Sequence, residues 1–134
     1  MLYTISRGNI TNCVGGQEAV LHLVCSAQSI QSARLQFVFT NGHGIMALTD
    51  FFDHLDHLNE VDWPLMAATV WRDTLADPDR KRRRQAEFLV HDFCPLSLID
   101  EIGVMTPRMK TKVESILTPT SSRPRVKVVQ SWYY

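Results

Sequence analysis

The sequence predicts an α+β fold, a mixed sheet with flanking helices, and three observations carry that prediction. Short runs rich in β-branched and aromatic residues, such as Phe37-Val38-Phe39, have the length and composition of strands. Other stretches repeat their apolar residues at helical spacing behind capping signals, as in Thr106-Pro107 followed by Met109, Val113, Ile116 and Leu117. The two kinds of segment do not alternate in the regular way that builds a parallel βαβ sheet. At 134 residues, with 45% hydrophobic content, one domain over 1–134 with a real core is the simplest expectation.

In chain order, Met1–Ser6 has strand composition and Arg7 to Gly16 reads as a loop. Ala19–Cys25 predicts a strand buried on both faces, with His22 as a hydrogen-bonded core residue or, in the sharper reading, a catalytic one. Ser26 can cap a helix through Arg34 with Ile30 and Ala33 inward. The strand 37–39 runs into the turn Thr40-Asn41-Gly42-His43-Gly44, which puts His43 within reach of a site or of solvent.

Ile45–Leu58 has helical period through Phe51, Leu55 and Leu58, and places Asp50, Asp53, His54 and His57 at spacings that a metal ion could use or that an exposed helix gives by chance; no metal site is assigned. Asp62 caps a helix with Pro64 in its first turn, in which Trp63, like Trp71 beyond it, is either partial core or a platform for bases. Asp73–Asp79 is an acidic loop. Ala86–Val90 predicts a strand, Pro95 a helix ending at Gly103, and Arg125–Gln130 an antiparallel strand of alternating basic and apolar residues.

The formal net charge is zero, yet residues 1–79 carry three Lys/Arg against nine Asp/Glu and residues 80–134 carry eleven against five. That polarity points to a polyanionic partner for the second half, or to a solvated face. Cys13, Cys25 and Cys94 are scattered without metal or redox spacing, and Cys25 and Cys94, in apolar surroundings, are expected to be buried thiols in a reducing, cytoplasmic setting. No apolar run reaches the roughly 18 residues of a membrane span, and no signal-peptide layout is present.

The most informative stretch is Arg80-Lys81-Arg82-Arg83-Arg84 leading to Glu87. On a strand Glu87 and Leu89 would share one face, and Ala86, Phe88 and Val90 the other. If the Phe88 face packs inward, Glu87 points into a groove. A fixed anion beside a cationic rim suits a reaction that develops positive charge on a sugar of a phosphate-bearing substrate. The plainer reading is a strand glutamate paired with a cross-strand arginine.

Taken together, residues 37–44 (Phe-Val-Phe-Thr-Asn-Gly-His-Gly), Val61-Asp62-Trp63, residues 77–90 with their Arg-Arg-Arg-Gln-Ala-Glu-Phe-Leu-Val close, and the final Trp132-Tyr133-Tyr134 resemble the DarT-type toxins along essentially the whole chain. The resemblance implies an ADP-ribosyltransferase fold and NAD-dependent modification of thymidine in single-stranded DNA, within a toxin–antitoxin system. It implies Glu87 as the catalytic carboxylate and a segment from about Met46 to Arg84 that helps grip DNA. Arg80, Lys81, Arg82, Arg83, Arg84, Trp63 and Trp71 become the expected DNA-binding residues, with Arg82 and Arg84 toward the backbone and Arg83 toward Glu87. Relative to that family the sequence starts after the region with a histidine-containing NAD motif and a catalytic arginine, so a truncated domain that alone binds NAD more weakly than millimolar is expected. The alternative is a non-catalytic remnant that binds single-stranded DNA or a partner. An antitoxin-like protein and a homodimer are the expected protein partners.

Overall fold

The computed structural model describes Ile5, residues 16–70 and residues 72–134. The Met1–Ser6 strand, the loop around Arg7, Cys13 and Trp71 therefore lie outside the described residues, apart from Ile5, which is buried. The described strands are β1 (His22–Val24), β2 (Phe37–Thr40), β3 (Phe51–Phe52), β4 (Phe88–Val90), β5 (Glu101–Val104) and β6 (Arg125–Val128). The chain forms two compact units, one of residues up to Ser26 with Pro95–Tyr134, the other Ala27–Cys94. Both mix helix and sheet, as an α+β fold requires.

In the first unit a three-stranded sheet runs β1-β5-β6. Thr106 caps the Pro107–Leu117 helix by accepting from the Met109 amide at 3.2 Å, with Pro107 in the first turn, as the sequence predicts. Val113 and Leu117 from that helix close over Ile102, Val104 and Val126. The antiparallel expectation for the last strand is corrected: β6 runs parallel to β5, with Glu101 opposite Arg125 and Val104 opposite Val128. The 107–117 helix is the crossover that parallel pairing needs, and alternation along a strand does not reveal its partner's direction.

The helix expected from Pro95 to Gly103 is also corrected. It stops after a 3-10 turn at Leu96–Leu98, and the chain extends into β5, paired on both sides. Gly103 serves close approach instead of ending a helix, because a Cβ there would meet the ring of Trp132. The strand expected over Ala19–Cys25 shortens to β1, and it is not buried on both faces, since Leu23 is 59% exposed. His22 is half-buried, with its ring edge-on to Trp132 and Tyr133 at 5.5 and 4.9 Å. Its Nε2 meets no hydrogen-bond partner among the described residues, so aromatic packing stands where a hydrogen bond was expected. Cys25 is half-buried and Cys94 exposed, against the expectation of two buried thiols.

In the second unit the sheet order is β3-β2-β4, antiparallel throughout. Phe39 lies opposite both Phe52 and Phe88, and Phe37, Phe88, Phe39 and Phe52 stack in a row with centroids 5.0, 6.1 and 5.3 Å apart. Phe39 is buried with Ile30, Val61 and Leu65. The helix after Ser26 spans Ala27–Ser32 and turns off at Arg34, which adopts a positive φ of 57°; Ile30 points inward as expected and Ala33 is exposed.

The helix expected over Ile45–Leu58 is corrected to β3 followed by a 3-10 turn at Leu55–Glu60. Local side chains outcompete the helix there: the Asp50 amide donates to Asn41 Oδ1 at 3.0 Å, and Thr49 Oγ1 donates to the His43 carbonyl at 2.8 Å. Asp62 caps the Trp63–Ala67 helix by accepting from the Leu65 amide at 3.0 Å, as read from the sequence. Among the described residues no helix is long and apolar enough to cross a membrane, and no three His, Cys, Asp or Glu side chains converge as metal ligands.

Candidate active site

Alternation along the β3-β2-β4 sheet sorts its side chains onto two faces. Phe37, Phe39, Phe52 and Phe88 occupy one; Val38, Thr40, Phe51 and Leu89 share the other with Glu87. Glu87 lies just before β4, which starts at Phe88 and not at Ala86. Its backbone is nevertheless in register, since the Thr40 amide donates to the Glu87 carbonyl and the Glu87 amide donates to Thr40 Oγ1, each at 2.9 Å. Thr40 is fully buried (0% exposed), and its hydroxyl donates in turn to the Gly42 carbonyl at 2.7 Å. One side chain thus ties Glu87 to the turn that follows β2.

The Glu87 residue is exposed, and its carboxylate accepts no hydrogen bond and meets no cation among the described residues. A Cβ placed on Gly44 would lie 3.2 Å from Glu87 Oε2 and 3.8 Å from the Phe51 ring. The bare glycine leaves the carboxylate and the ring edge open around one point. This geometry does not match the cross-strand ion pair that was the plainer reading.

The cations take a different form from the expected one. Arg80–Arg83 are a single helical turn, so the strand alternation assigned to them does not apply. Arginine and lysine are good helix formers, and Asp79 begins the turn. Arg83 forks between Asp62 and Asp77, with Asp79 at 3.7 Å from its Nε. Arg82 grips Asp79 at 2.8 and 2.7 Å, and Arg80 donates to the Val70 carbonyl at 2.8 Å while facing Asp77 at 3.7 Å. Lys81 Nζ and the Arg84 guanidinium make no ion pair or hydrogen bond among the described residues. Trp63 is 54% exposed and donates its indole N–H to the Leu58 carbonyl at 2.7 Å.

A cleft of about 430 Å³ opens beside this turn, with His43, Met46, Pro78, Lys81 and Gln85 in its walls. His43 is half-buried, and its Nδ1 has no partner among the described residues.

These ion pairs set the local electrostatics. The hydrogen bond from Arg83 holds the Asp77 carboxyl below its ordinary value of 3.8, and Arg82 does the same for Asp79. Asp77 raises Arg83 in turn. A carboxyl whose folded value lies below its unfolded one stabilises the fold fully above the unfolded value, and that contribution fades as pH falls through the folded value. The 73–79 segment should therefore stay anchored at neutral pH and loosen below about pH 4. Carboxyl-carbon NMR titration checks this, and ordinary titration of both aspartates would contradict it.

Thr40, Asn41 and Gly44 were read from the sequence as turn residues and Phe51 as a helix position, without a role beside Glu87, and Thr49 was not singled out. A threonine closing an apolar Phe-Val-Phe run was the available signal for the first.

The family model described as "DarT: ssDNA thymidine ADP-ribosyltransferase" matches residues 1–134. The DNA ADP-ribosyl transferase of Thermus sp. (strain 2.9) is 43% identical over 136 residues, covering all of this chain and 63% of that relative. Two solved structures of Thermus sp. 2.9 DarT, in complex with NAD+ and with ADP-ribosylated ssDNA, each align over 99% of this chain with a TM-score of 0.91 and 41% identity, covering 66% and 63% of those chains. The chain thus spans somewhat less than two thirds of that relative's length. With the family model matched from end to end, this chain belongs to the DarT family.

Proposed function

We propose that this chain is the Glu87-bearing part of an enzyme that uses NAD to ADP-ribosylate thymidine bases in single-stranded DNA. The observation that carries the reading is the open Glu87 carboxylate above Gly44 and beside Phe51. NAD as co-substrate supplies the ADP-ribosyl group. As nicotinamide leaves with the bonding electrons, positive charge grows on the ribose, and a fixed carboxylate lowers the free energy of that state. The base then attacks the ribose carbon through its ring nitrogen, and the N–H proton passes to the solvent that reaches the exposed Glu87. Thr40 holds the Glu87 backbone so that the carboxylate need not be ordered during the reaction.

The test is incubation of the folded chain with NAD and a thymidine-containing oligonucleotide, followed by mass spectrometry. At NAD concentrations well above millimolar, as the expected weak binding requires, an ADP-ribose adduct on the DNA is expected, and its absence from a protein that NMR shows to be folded would sink the enzymatic reading.

Lys81 and Arg84 are the cations best placed to meet DNA phosphates, since Arg80, Arg82 and Arg83 are engaged by protein partners. Each phosphate neutralised on a single strand contributes about −0.7 to the slope of log affinity against log salt. Lys81→Gln and Arg84→Gln should each flatten that slope by about 0.7, measured by fluorescence anisotropy with labelled oligothymidine. An unchanged slope in both would remove them from the interface. Exposed Trp63 can stack on a base in the same complex. The antitoxin or second copy expected from the sequence has a candidate seat on exposed Ile45, Met46 and Leu48, and a cytoplasmic setting belongs to the same reading.

A further inference from the structure

We propose that Arg82 is a positioning residue, which holds the 41–49 loop, and with it Gly44, in place beneath Glu87. The inference rests on the reading of Glu87 as the catalytic carboxylate and adds a role for an arginine that charge alone would send to DNA.

Four residues converge on this one: Asp79, Thr49, Asn41 and His43. Nε and Nη2 fork onto the Asp79 carboxylate at 2.8 and 2.7 Å. Nη1 reaches Thr49 Oγ1 at 3.1 Å and Asn41 Oδ1 at 3.5 Å, which are the two ends of the loop. The Arg82 carbonyl accepts from the His43 amide at 3.0 Å. Gly42 leaves the space that the guanidinium fills, for a Cβ there would collide with Nη1. The Arg82 side chain is 13% exposed, so little of it remains for a phosphate.

The loop responds to these anchors as a unit. Thr49, held by Arg82, donates its hydroxyl hydrogen bond to the His43 carbonyl at 2.8 Å, and that carbonyl also accepts from the Met46 amide at 2.9 Å. His43 is thereby fixed at both its N–H and its C=O, one residue before Gly44. The planar fork of an arginine makes this arrangement possible; a lysine ammonium at the same place could hold Asp79 or the loop ends but not in one geometry.

The experiment is amide hydrogen exchange by NMR on the whole chain, comparing wild type with Arg82→Gln, Arg82→Lys and the milder Thr49→Val, together with salt-dependent anisotropy on oligothymidine. In Arg82→Gln and Arg82→Lys the amides of His43, Met46 and Thr49 should exchange about tenfold faster or more, while those of β2 and β4 keep their rates. Thr49→Val, which leaves the Asp79 fork intact, should speed the same loop amides and decides the matter if Arg82→Gln perturbs the fold as a whole. The salt slope of Arg82→Gln should stay within about 0.2 of wild type, unlike the Lys81 and Arg84 variants. Where transfer is measured, turnover should fall about tenfold with the Kd for oligothymidine unchanged. Loop amides unaffected in Arg82→Gln, or full restoration by Arg82→Lys, would overturn the proposal, as would a slope flattened by about 0.7. Should the wild-type chain neither bind nor modify DNA, the functional reading fails while the exchange comparison still decides whether Arg82 holds the loop.

Discussion

Glu87→Ala should lower ADP-ribosyl transfer by about 100-fold or more while leaving the melting temperature unchanged. The side chain is exposed and makes no hydrogen bond among the described residues, so the fold loses nothing when it is truncated. What holds the position is backbone, through the paired bonds with Thr40 on either side of the residue. Among the described strand residues that share this face, Val38, Thr40, Phe51 and Leu89, none is acidic and none can supply the charge that a carboxylate offers to a developing cation. Glu87→Gln, which keeps the shape and removes the charge, should behave like the alanine variant. Equal turnover in wild type and both variants, with unaltered stability, would reduce Glu87 to a surface residue.

The largest expected effect on stability lies on the opposite face. Phe39→Ala should cost about 4 kcal/mol, a large share of the roughly 5–15 kcal/mol by which domains of this size are stable. Phe39 is 2% exposed, takes part in both strand pairings of β2 and stacks on Phe52 and Phe88. Its removal leaves a cavity where the strands bearing Thr40 and Glu87 meet. Urea unfolding followed by circular dichroism measures the loss, and a cost under about 1 kcal/mol would mean that the ring row is not the core of this unit. Phe39→Leu, which refills most of the volume, should recover more than half of it.

The sequence read well wherever a signal was local. Thr106 and Asp62 announced their helices through capping and a following proline, and both caps form as read. The Asn-Gly turn after β2 was equally plain. Strand direction was not legible, because β6 alternates basic and apolar residues whichever way its neighbour runs. The 45–58 stretch misled for a different reason: its apolar spacing fits a helix, but the side chains of Asn41 and Thr49 bind backbone groups across the loop, which periodicity does not record. The placement of Glu87 on the face opposite Phe88 was legible from strand alternation. The seat around it was not, since Gly44 and Phe51 come to the carboxylate from a different strand and turn, through pairing set by tertiary structure. The cationic run was visible as charge, yet its division into engaged and open members depended on where Asp62, Asp77 and Asp79 fold back.

The knot of arginines and aspartates also constrains how this sequence can drift. An aspartate lost from Asp62, Asp77 or Asp79 leaves Arg82 or Arg83 with fewer acceptors, and an arginine lost leaves neighbouring carboxylates to repel one another. Either single step is disfavoured, whereas replacement of both members of a pair by neutral groups of similar shape is nearly neutral. In descendants of this chain these positions should therefore change in company, while Lys81 and Arg84, whose side chains meet no carboxylate among the described residues, are left to vary one at a time.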